Sequence, residues 1–275
     1  FGLPAIQADS SYEESNISIT WLSRQYNDVR VLGGLNYHRS SGKSDGVIDV
    51  GFDLPSSFAL RRDQWSAFAE MVWRPLEQLS VSGGGRYEWF PNGEVFVPQL
   101  NVEYTSQNDR HTLMLNWGEG FKLPSFYALG NPLVGNPALE NETSNSFEIK
   151  YSFESMNWAL SVSVFRNQFR NLVDFEPGPP PSLVNRDKVK ITGAELQTRR
   201  VLSNTLAIDA FVSVLDIEVV NQPTVKLRGR PESRIGLHME WNPYSNLQLN
   251  FRARYSGSLP DSSIPTGNIN IEPSS

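Results

Sequence analysis

Two side chains capable of nucleophilic chemistry lie close together near the start of the chain, in the stretch YHRSSG. His38 could act as a base and Ser40 as a nucleophile, because residues two apart in an extended segment point to the same side. A hydrolytic site also needs an acid that orients the histidine, and no partnered acid is evident in the sequence. The pair keeps a hydrolase open as an alternative and predicts no catalytic residue by itself.

Three acidic residues recur at four-residue spacing in DGVIDVGFD, namely Asp45, Asp49 and Asp53. Carboxylate oxygens are the ligands that Ca²⁺ prefers, but this spacing does not match the EF-hand. A solvated acidic loop is therefore the favoured interpretation. The chain has three histidines and no cysteine, and these give no metal-ligand spacing. The sequence predicts neither a bound metal nor a cofactor.

Composition narrows the class of protein. The 275 residues carry a formal net charge of −6, which argues against a nucleic-acid partner. No apolar run is long enough for a transmembrane helix, which needs about 18 residues. A membrane barrel remains possible, because each of its strands is apolar on one side only. The chain begins at Phe1 with no initiator methionine or leader, so we expect a piece of a processed or longer protein.

The elements that must position any site are strands, because apolar and polar residues alternate with period two along most of the chain. In QLSVSGGGRYEWF, for example, Leu79, Val81 and Tyr87 share one face while Arg86 and Glu88 share the other. We predict twelve strands at 16–24, 28–39, 61–74, 78–90, 95–106, 110–120, 143–154, 157–173, 188–201, 205–219, 231–242 and 246–257. Many reach the length of about ten residues that a tilted membrane-crossing strand requires.

The two faces of these strands differ in charge. The apolar rows carry hardly any charged side chains, while the facing rows carry many, including Glu70, Arg74, Arg86, Glu88, Glu103, Glu148, Lys150, Arg252 and Arg254. A Lys or Arg facing lipid costs about 2–4 kcal/mol at the membrane midplane, whereas a charge facing water costs little. The pattern predicts one face in lipid and one in a wet lumen. A soluble β-sandwich, whose apolar faces would pack on each other, is the competing interpretation.

Connections and aromatic residues support the membrane barrel. Tight turns alternate with mostly long loops, predicted at 40–60, 121–142, 174–187, 220–230 and 258–275, as in outer-membrane barrels. Aromatics lie at both strand ends, where interfacial girdles would form. The turn side has Trp73, Tyr104, Phe153, Trp158 and Trp241, and the loop side has Tyr87, Trp89, Trp117 and Tyr255.

The longest interruption of the strands is rich in turn residues. In GFKLPSFYALGNPLVGNPALENETS, three prolines end strand pairing, and Gly130 and Gly135 are expected to take positive φ. We expect the chain to leave the sheet at Phe121 and to re-enter it at Thr143. Glu142 and Ser144 are expected to hydrogen-bond local backbone groups at the re-entry point.

This stretch resembles a signature of TonB-dependent outer-membrane receptors, G-x-x-[FY]-[KR]-x-P followed by G-N-P-x-L-x-P-E-x-S and E-x-G. The matching residues are Gly118, Phe121, Lys122, Pro124, Gly135, Asn136, Pro137, Leu139, Glu142, Ser144 and Glu148. Asn141 departs from the usual proline and Lys150 from the usual glycine. A later hairpin is also similar to the family, through Asn167, Ile191, Gly193 and Glu195.

The resemblance implies an all-β, antiparallel up-and-down transmembrane barrel of 22 strands with a plugged lumen. We expect residues 1–275 to be one partial barrel domain that lacks the plug and the terminal strands. The resemblance further implies a receptor in the bacterial outer membrane, surrounded by lipid and lipopolysaccharide. Such a receptor imports a scarce ligand, such as an iron–siderophore chelate or cobalamin, with energy from TonB, and breaks no bond in the ligand.

Two roles are open for the signature residues. The structural role holds the loop against the rim, and we assign it to Gly118, Pro124, Gly135, Pro137, Leu139, Glu142, Ser144, Glu148, Gly193 and Glu195. Contact with the ligand is the second role, for which the candidates are Phe121, Lys122, Tyr127 and Asn136. A passive porin is the alternative to an active receptor, and an outer-membrane hydrolase is a more distant one.

Overall fold

A computed structural model describes residues 5–49, 51–176, 178–222, 227, 230–263 and 267–271. The elements are β1 (Ala5–Leu22), β2 (Val29–Asp49), β3 (Asp53–Pro55), β4 (Phe58–Leu76), β5 (Leu79–Phe90), β6 (Gly93–Thr105), β7 (His111–Lys122), α1 (Phe126–Gly130), β8 (Glu142–Ser155), β9 (Trp158–Glu176), β10 (Ser182–Ser203), β11 (Leu206–Val219), β12 (Ser233–Tyr244), β13 (Leu247–Ser256), β14 (Leu259–Ser263) and β15 (Gly267–Ile271).

The long strands pair in chain order, each antiparallel to the next, from β1 through β2 and β4 to β13. β3 adds to the edge of β2, and β14 pairs with β15 as a separate hairpin. All twelve predicted strands are present, and the predicted up-and-down wall is confirmed. It forms part of a barrel that does not close on itself within the described residues.

Two predicted loops are wrong in extent. The 40–60 loop is mostly strand, because β2 continues to Asp49 and β4 already begins at Phe58. Likewise, β9 continues to Glu176 and β10 begins at Ser182, inside the predicted 174–187 loop. These residues are kept in the sheet by partners on neighbouring strands. Parts of the predicted loops at 220–230 and 258–275 lie outside the described residues.

The strand register brings the apolar rows together on one face. Ile19 lies opposite Leu35, Leu35 opposite Ala67, and Ala67 opposite Tyr87. Ile19 is 69% exposed and Leu35 57%, so no second layer covers them. The sandwich interpretation is therefore wrong, since it requires this face to pack against another sheet. A continuous apolar surface of this kind is the lipid-facing side of a membrane barrel.

Aromatic rows mark the upper and lower limits of this surface. Near the long loops, Tyr37, Trp65 and Trp89 are cross-strand neighbours, and we call this row with Trp117 the outer girdle. Near the tight turns, Trp73 lies eight residues from Trp65 on the same strand. That separation is about 26 Å along the strand, which is comparable with the apolar band of outer-membrane barrels.

Charged residues on the apolar rows occur where lipid no longer covers the strand. Arg61 and Asp63 precede Trp65 on β4, and Glu119 follows Trp117 on β7. All three lie beyond the outer girdle, on the side of the long loops. Their position agrees with the free-energy cost of placing a charge in the hydrocarbon region.

The described residues contain no helix that is long and apolar enough to cross a membrane. The helix α1 has five residues and lies in the connection between β7 and β8. Helical structure therefore serves only to shape a loop in this part of the molecule.

Beyond the outer girdle the sheet continues as two wings. The first wing consists of the upper parts of β1, β2 and β4, and the second wing of the upper parts of β9, β10 and β11. The second wing contains the main buried apolar cluster, in which Val189, Ile191, Val219 and Leu227 pack together with exposures of 5% or less. The apolar core of the described residues is thus small and lies outside the membrane band.

Candidate ligand-binding site

The signature loop, residues 123–141, connects the ends of β7 and β8. Its flanking strands end at Lys122 and restart at Glu142, within one residue of the predicted positions. Ser125 caps α1, since its hydroxyl oxygen accepts a hydrogen bond from the Ala128 amide at 3.0 Å. This cap satisfies one of the free amides of the first helical turn.

One end of the loop packs on the inner face of the first wing. A guanidinium N–H of Arg62 donates to the Pro124 carbonyl at 2.7 Å. The same guanidinium lies over the Phe126 ring, 5.0 Å from its centroid. Phe126 also fits against Gly42, where a Cβ atom would lie 2.5 Å from the ring. These contacts fix α1 above the inner surface of β2 and β4.

The other end of the loop is hydrogen-bonded to the second wing. The Asn136 side-chain amide donates to the Leu183 carbonyl at 3.1 Å, and the Leu183 amide donates to the Val134 carbonyl at 2.7 Å. The Glu140 amide donates to Asn185 Oδ1 at 2.9 Å. The signature loop is therefore attached to both wings.

The glycines of the signature loop allow neighbouring atoms to pack close to the backbone. The expectation of positive φ at Gly130 and Gly135 is wrong, because the positive-φ glycines among the described residues are Gly51 and Gly93. A Cβ on Gly135 would lie 2.4 Å from the Asn131 carbonyl oxygen, and one on Gly130 would lie 2.7 Å from Phe58. The absence of a side chain, rather than backbone handedness, explains both residues.

Three of the four candidate ligand residues are engaged by the protein itself. Phe121 stacks on Phe90 with ring centroids 6.0 Å apart. Lys122 forms an ion pair with Glu142 at 3.3 Å. Asn136 donates to the second wing, and its Oδ1 accepts from the backbone two residues on. Tyr127 differs because it lines a cavity, with 54% of its surface exposed, whereas the Lys122 side chain is 72% exposed despite its ion pair.

The residues assigned to the structural role lie at the ends of the loop and along its path. Glu142 is buried and also accepts a hydrogen bond from the Val173 amide of β9 at 3.3 Å, which is not one of the local backbone groups expected at the re-entry point. Leu139 is buried, whereas Pro137 is exposed. The hydroxyl of Ser144 lies close to Gly120, because a Cβ on that glycine would be 2.8 Å from it.

The remaining signature residues line the lumen wall at membrane level. Glu148 accepts from Asn116 at 3.1 Å, and Glu195 accepts from Ser213 at 3.2 Å. A Cβ on Gly193 would meet Phe165 at 2.6 Å, so this glycine makes room for a ring on the neighbouring strand β9. A Cβ on Gly118 would meet only ordinary contacts. Amides and carboxylates thus form a hydrated inner surface.

A cluster near the tight turns is the one group of metal-ligand type that the described residues bring together. Asp209, His238 and Glu240 place ligand atoms within 4.8 Å of one another. Arg199 already binds both carboxylates, at 2.9 Å to Asp209 and 3.2 Å to Glu240. Because a guanidinium neutralises the carboxylates, the geometry favours an ion cluster of the lumen wall over a cation site.

The two motifs of chemical interest at the N-terminal side do not form sites. Ser40 is 4% exposed, and no hydrogen bond joins it to His38 within the part of the chain described. Asp45 accepts from the Ser57 hydroxyl, and Asp49 from the Gly51 amide. Both acids belong to β2 rather than to a solvated loop. Their hydrogen bonds are structural.

Sequence reasoning missed a cavity of about 540 Å³ between α1 and the first wing. Arg62, Tyr12, Phe126 and Tyr127 line it, together with small hydroxyl residues. Burial lowers the pKa of Arg62. Nothing in the sequence distinguishes Arg62 from other charges on the inner rows, because the helix that encloses it comes from a distant segment.

Comparison with known proteins gives a consistent result. The family model described as TonB dependent receptor-like, beta-barrel, matches residues 5–271. The vitamin B12 transporter BtuB of Vibrio vulnificus is 36% identical over 200 residues, which are 69% of this chain and 31% of that protein. The iron-regulated outer membrane virulence protein of Vibrio cholerae is 23% identical over 248 residues, covering 78% of this chain and 37% of that protein.

Solved structures agree in fold. The ferric yersiniabactin uptake receptor FyuA from Yersinia pestis superposes with a TM-score of 0.76 at 14% identity, covering 98% of this chain and 47% of that one. The chain spans less than half the length of each of these three proteins. Relatives of this kind are bacterial outer-membrane proteins, and so is this barrel wall. The chain belongs to the TonB-dependent receptor family and forms part of its β-barrel.

Proposed function

We propose that this chain is part of an active outer-membrane receptor that imports a scarce nutrient, either a metal chelate or cobalamin, with energy from TonB. The observation that carries the proposal is the family match over 5–271 in a wall with one lipid face and one polar face. The relatives named as a vitamin B12 transporter and an iron-regulated protein support the two nutrient classes. TonB contact belongs to the plug, which we expect in the whole protein.

The wall itself supplies the passage rather than any bond chemistry. Polar residues on the inner rows, such as Gln99, Asn116 and Glu148, keep that surface hydrated. They also provide donors and acceptors for a plug. The signature loop and the wings stand at the outer opening, where a ligand from the medium arrives first. In this arrangement ligand capture and passage use different levels of the same wall.

Growth of strains with and without the intact gene, under iron limitation and under cobalamin limitation, tests the nutrient. A defect in one medium that the intact gene repairs supports the proposal. Normal growth of the deletion strain in both media contradicts it. Uptake of the labelled nutrient after collapse of the proton gradient tests the energy source, because a passive porin continues to transport and a TonB-driven receptor stops.

A further inference from the structure

Arg62 is a half-buried cation that has no anionic partner among the described residues. It lies on the inner row of β4, directly opposite Ser40 on β2. One of its N–H groups binds the Pro124 carbonyl, and Phe126 covers one face of the guanidinium. No carboxylate in the described part of the chain forms an ion pair with it. A guanidinium has five N–H donors, so most of its donors are free to bind a further group.

The lack of a partner is unusual for this environment. Buried charges in proteins are normally paired, because desolvation without compensation is costly. The lowered pKa of Arg62, whose main cause is burial, agrees with an uncompensated charge. Arg86, also on an inner row, contrasts with it, since Arg86 binds Glu88 and the Ser66 hydroxyl. Among the described residues, therefore, no carboxylate of the first wing pairs with Arg62 as Glu88 pairs with Arg86.

The lining of the cavity indicates the shape of the missing group. The rings of Tyr12, Phe126 and Tyr127 line the cavity together with Arg62, and Tyr12 and Phe126 lie 6.4 Å apart between centroids. Small residues of the inner row of β2, Ser40, Gly42 and Ser44, complete the lining. The carboxylate of Glu14 lies in the same cross-strand row, two strands from Arg62, and accepts a hydrogen bond from the Tyr12 hydroxyl at 3.0 Å without forming an ion pair with Arg62. Aromatic walls around a cation suit a flat body that carries negative oxygen atoms.

The cavity is open to the outside of the cell. Arg62 lies three residues beyond Trp65 of the outer girdle, on the loop side. Tyr12 is 61% exposed and Tyr127 54%, so solvent reaches the cavity between them. A small molecule from the medium can therefore enter without passing through the membrane-level lumen.

We infer that this cavity binds an anionic oxygen group, a carboxylate or a phenolate on an aromatic body, with Arg62 as its charged partner. The inference rests on the proposed function, because it assigns the charge and ring character of the imported ligand. In this arrangement Tyr127, one of the four candidate ligand residues, contacts the bound group. Phe121, Lys122 and Asn136 then hold the loop that encloses the cavity.

Benzoate is a suitable probe, with benzyl alcohol as its uncharged counterpart. Binding of each to the detergent-solubilised full-length receptor is measured by ligand-observed NMR. We expect benzoate to bind the wild type, and Arg62→Gln to weaken it about tenfold or more, since a hydrogen bond to a charged group is lost. Arg62→Lys keeps the charge without the planar fork and should restore part of the affinity. Arg61→Gln is the matched control, because Arg61 points to the opposite face.

Several results would overturn the inference. These are a wild type that does not bind benzoate, equal binding of benzyl alcohol, or equal effects of Arg62→Gln and Arg61→Gln. If Arg62→Gln alters folding, salt dependence of the wild type replaces it, and benzoate binding that is insensitive to added NaCl counts against the site. Growth assays test the nutrient proposal separately, since a deletion strain that grows normally refutes that proposal while Arg62-dependent benzoate binding stands.

Discussion

The two wings each contain an arginine, and the two arginines have opposite surroundings. In the second wing, Arg186 binds Asp174 at 3.0 Å and Glu176 at 2.7 Å. Burial acts to lower the pKa of Arg186, but the hydrogen bonds to Glu176 and Asp174 outweigh it, and the pKa is raised. In the first wing, burial lowers the pKa of Arg62, and no carboxylate of the described residues compensates.

Only the second wing has a buried interior whose charges are neutralised within the described residues. The second wing has an apolar cluster around Val189 and a neutralised charge, so its interior is closed. The first wing has a helix laid over its inner face and a cavity beneath that helix. One wing is a structural support, and the other has the features of a binding surface.

Removal of Arg186 should have the largest effect on stability. Arg186→Gln leaves the two carboxylates without their cation, and loss of one partner of a buried ion pair costs about 3–5 kcal/mol. We expect faster hydrogen exchange and proteolysis at residues 172–190 of the full-length receptor. Lys190→Gln is the control, since the Lys190–Glu218 pair is partly exposed and should contribute less than about 1 kcal/mol. Equal effects of the two changes would contradict the closed second wing.

Crowding of α1 should have the second-largest effect on stability. A Cβ at Gly42 would lie 2.5 Å from Phe126, so Gly42→Ala must displace the ring and loosen the loop. Overpacking of this kind costs about 1–3 kcal/mol. Hydrogen exchange of residues 125–136 measures the result. Gly118→Ala, whose nearest contact would be 3.5 Å, should leave exchange unchanged. An unaffected loop in Gly42→Ala would show that Phe126 does not fix α1.

Supplying the first wing with its own anion should make it resemble the second. Ser40→Asp places a carboxylate opposite Arg62, where the two can pair. We expect benzoate binding to weaken about tenfold, because the guanidinium is then occupied. Ser40→Asn has a similar size without the charge and should retain most of the affinity. Loss of binding in both variants would point to the volume of the side chain instead.

The smallest effect concerns an exposed ion cluster on the outer face of the first wing. Hydrogen bonds from Tyr37 and Arg39 lower the pKa of Asp63. Its contribution to stability is therefore present above the ordinary aspartate pKa of about 3.9, and it disappears as the pH falls through the lowered value. Hydrogen exchange at residues 37–41 should stay constant between pH 7 and pH 5, after correction for intrinsic rates. An acid-dependent increase below pH 4 should be absent from Asp63→Asn.

The membrane-level wall could be predicted from sequence because lipid and water impose opposite demands on alternate residues. Few other folds produce such strict alternation of apolar and charged residues, as in Leu79, Val81 and Tyr87 on one face of β5 and Arg86 and Glu88 on the other. The upper wings lacked this signal. Beyond the outer girdle the outward row of β2 meets water and its buried inner row consists of small residues, so RSSGKSDG has the composition of a loop although every residue in it has a strand partner.

The candidate site was predictable only in part. The signature identified the loop, but the side chains that attach it to the two wings, such as Arg62, Phe126 and Asn136, are not among the residues assigned to the structural role. The helix α1 had a usable signal, since Ser125 follows a proline and precedes a short run of helix-forming residues. The importance of Arg62 was not accessible, because it depends on Phe126 and Pro124, about sixty residues away in the chain.

The attachment of the signature loop to both wings has a mechanical consequence. Arg62 holds the Pro124 end of the loop, and Leu183 on β10 holds the Asn136 end. A molecule that displaces α1 as it settles on Arg62 would pull on a tether whose far anchor is β10. Occupancy on one side of the opening would then be transmitted across it, so that the two sides of the entrance respond together.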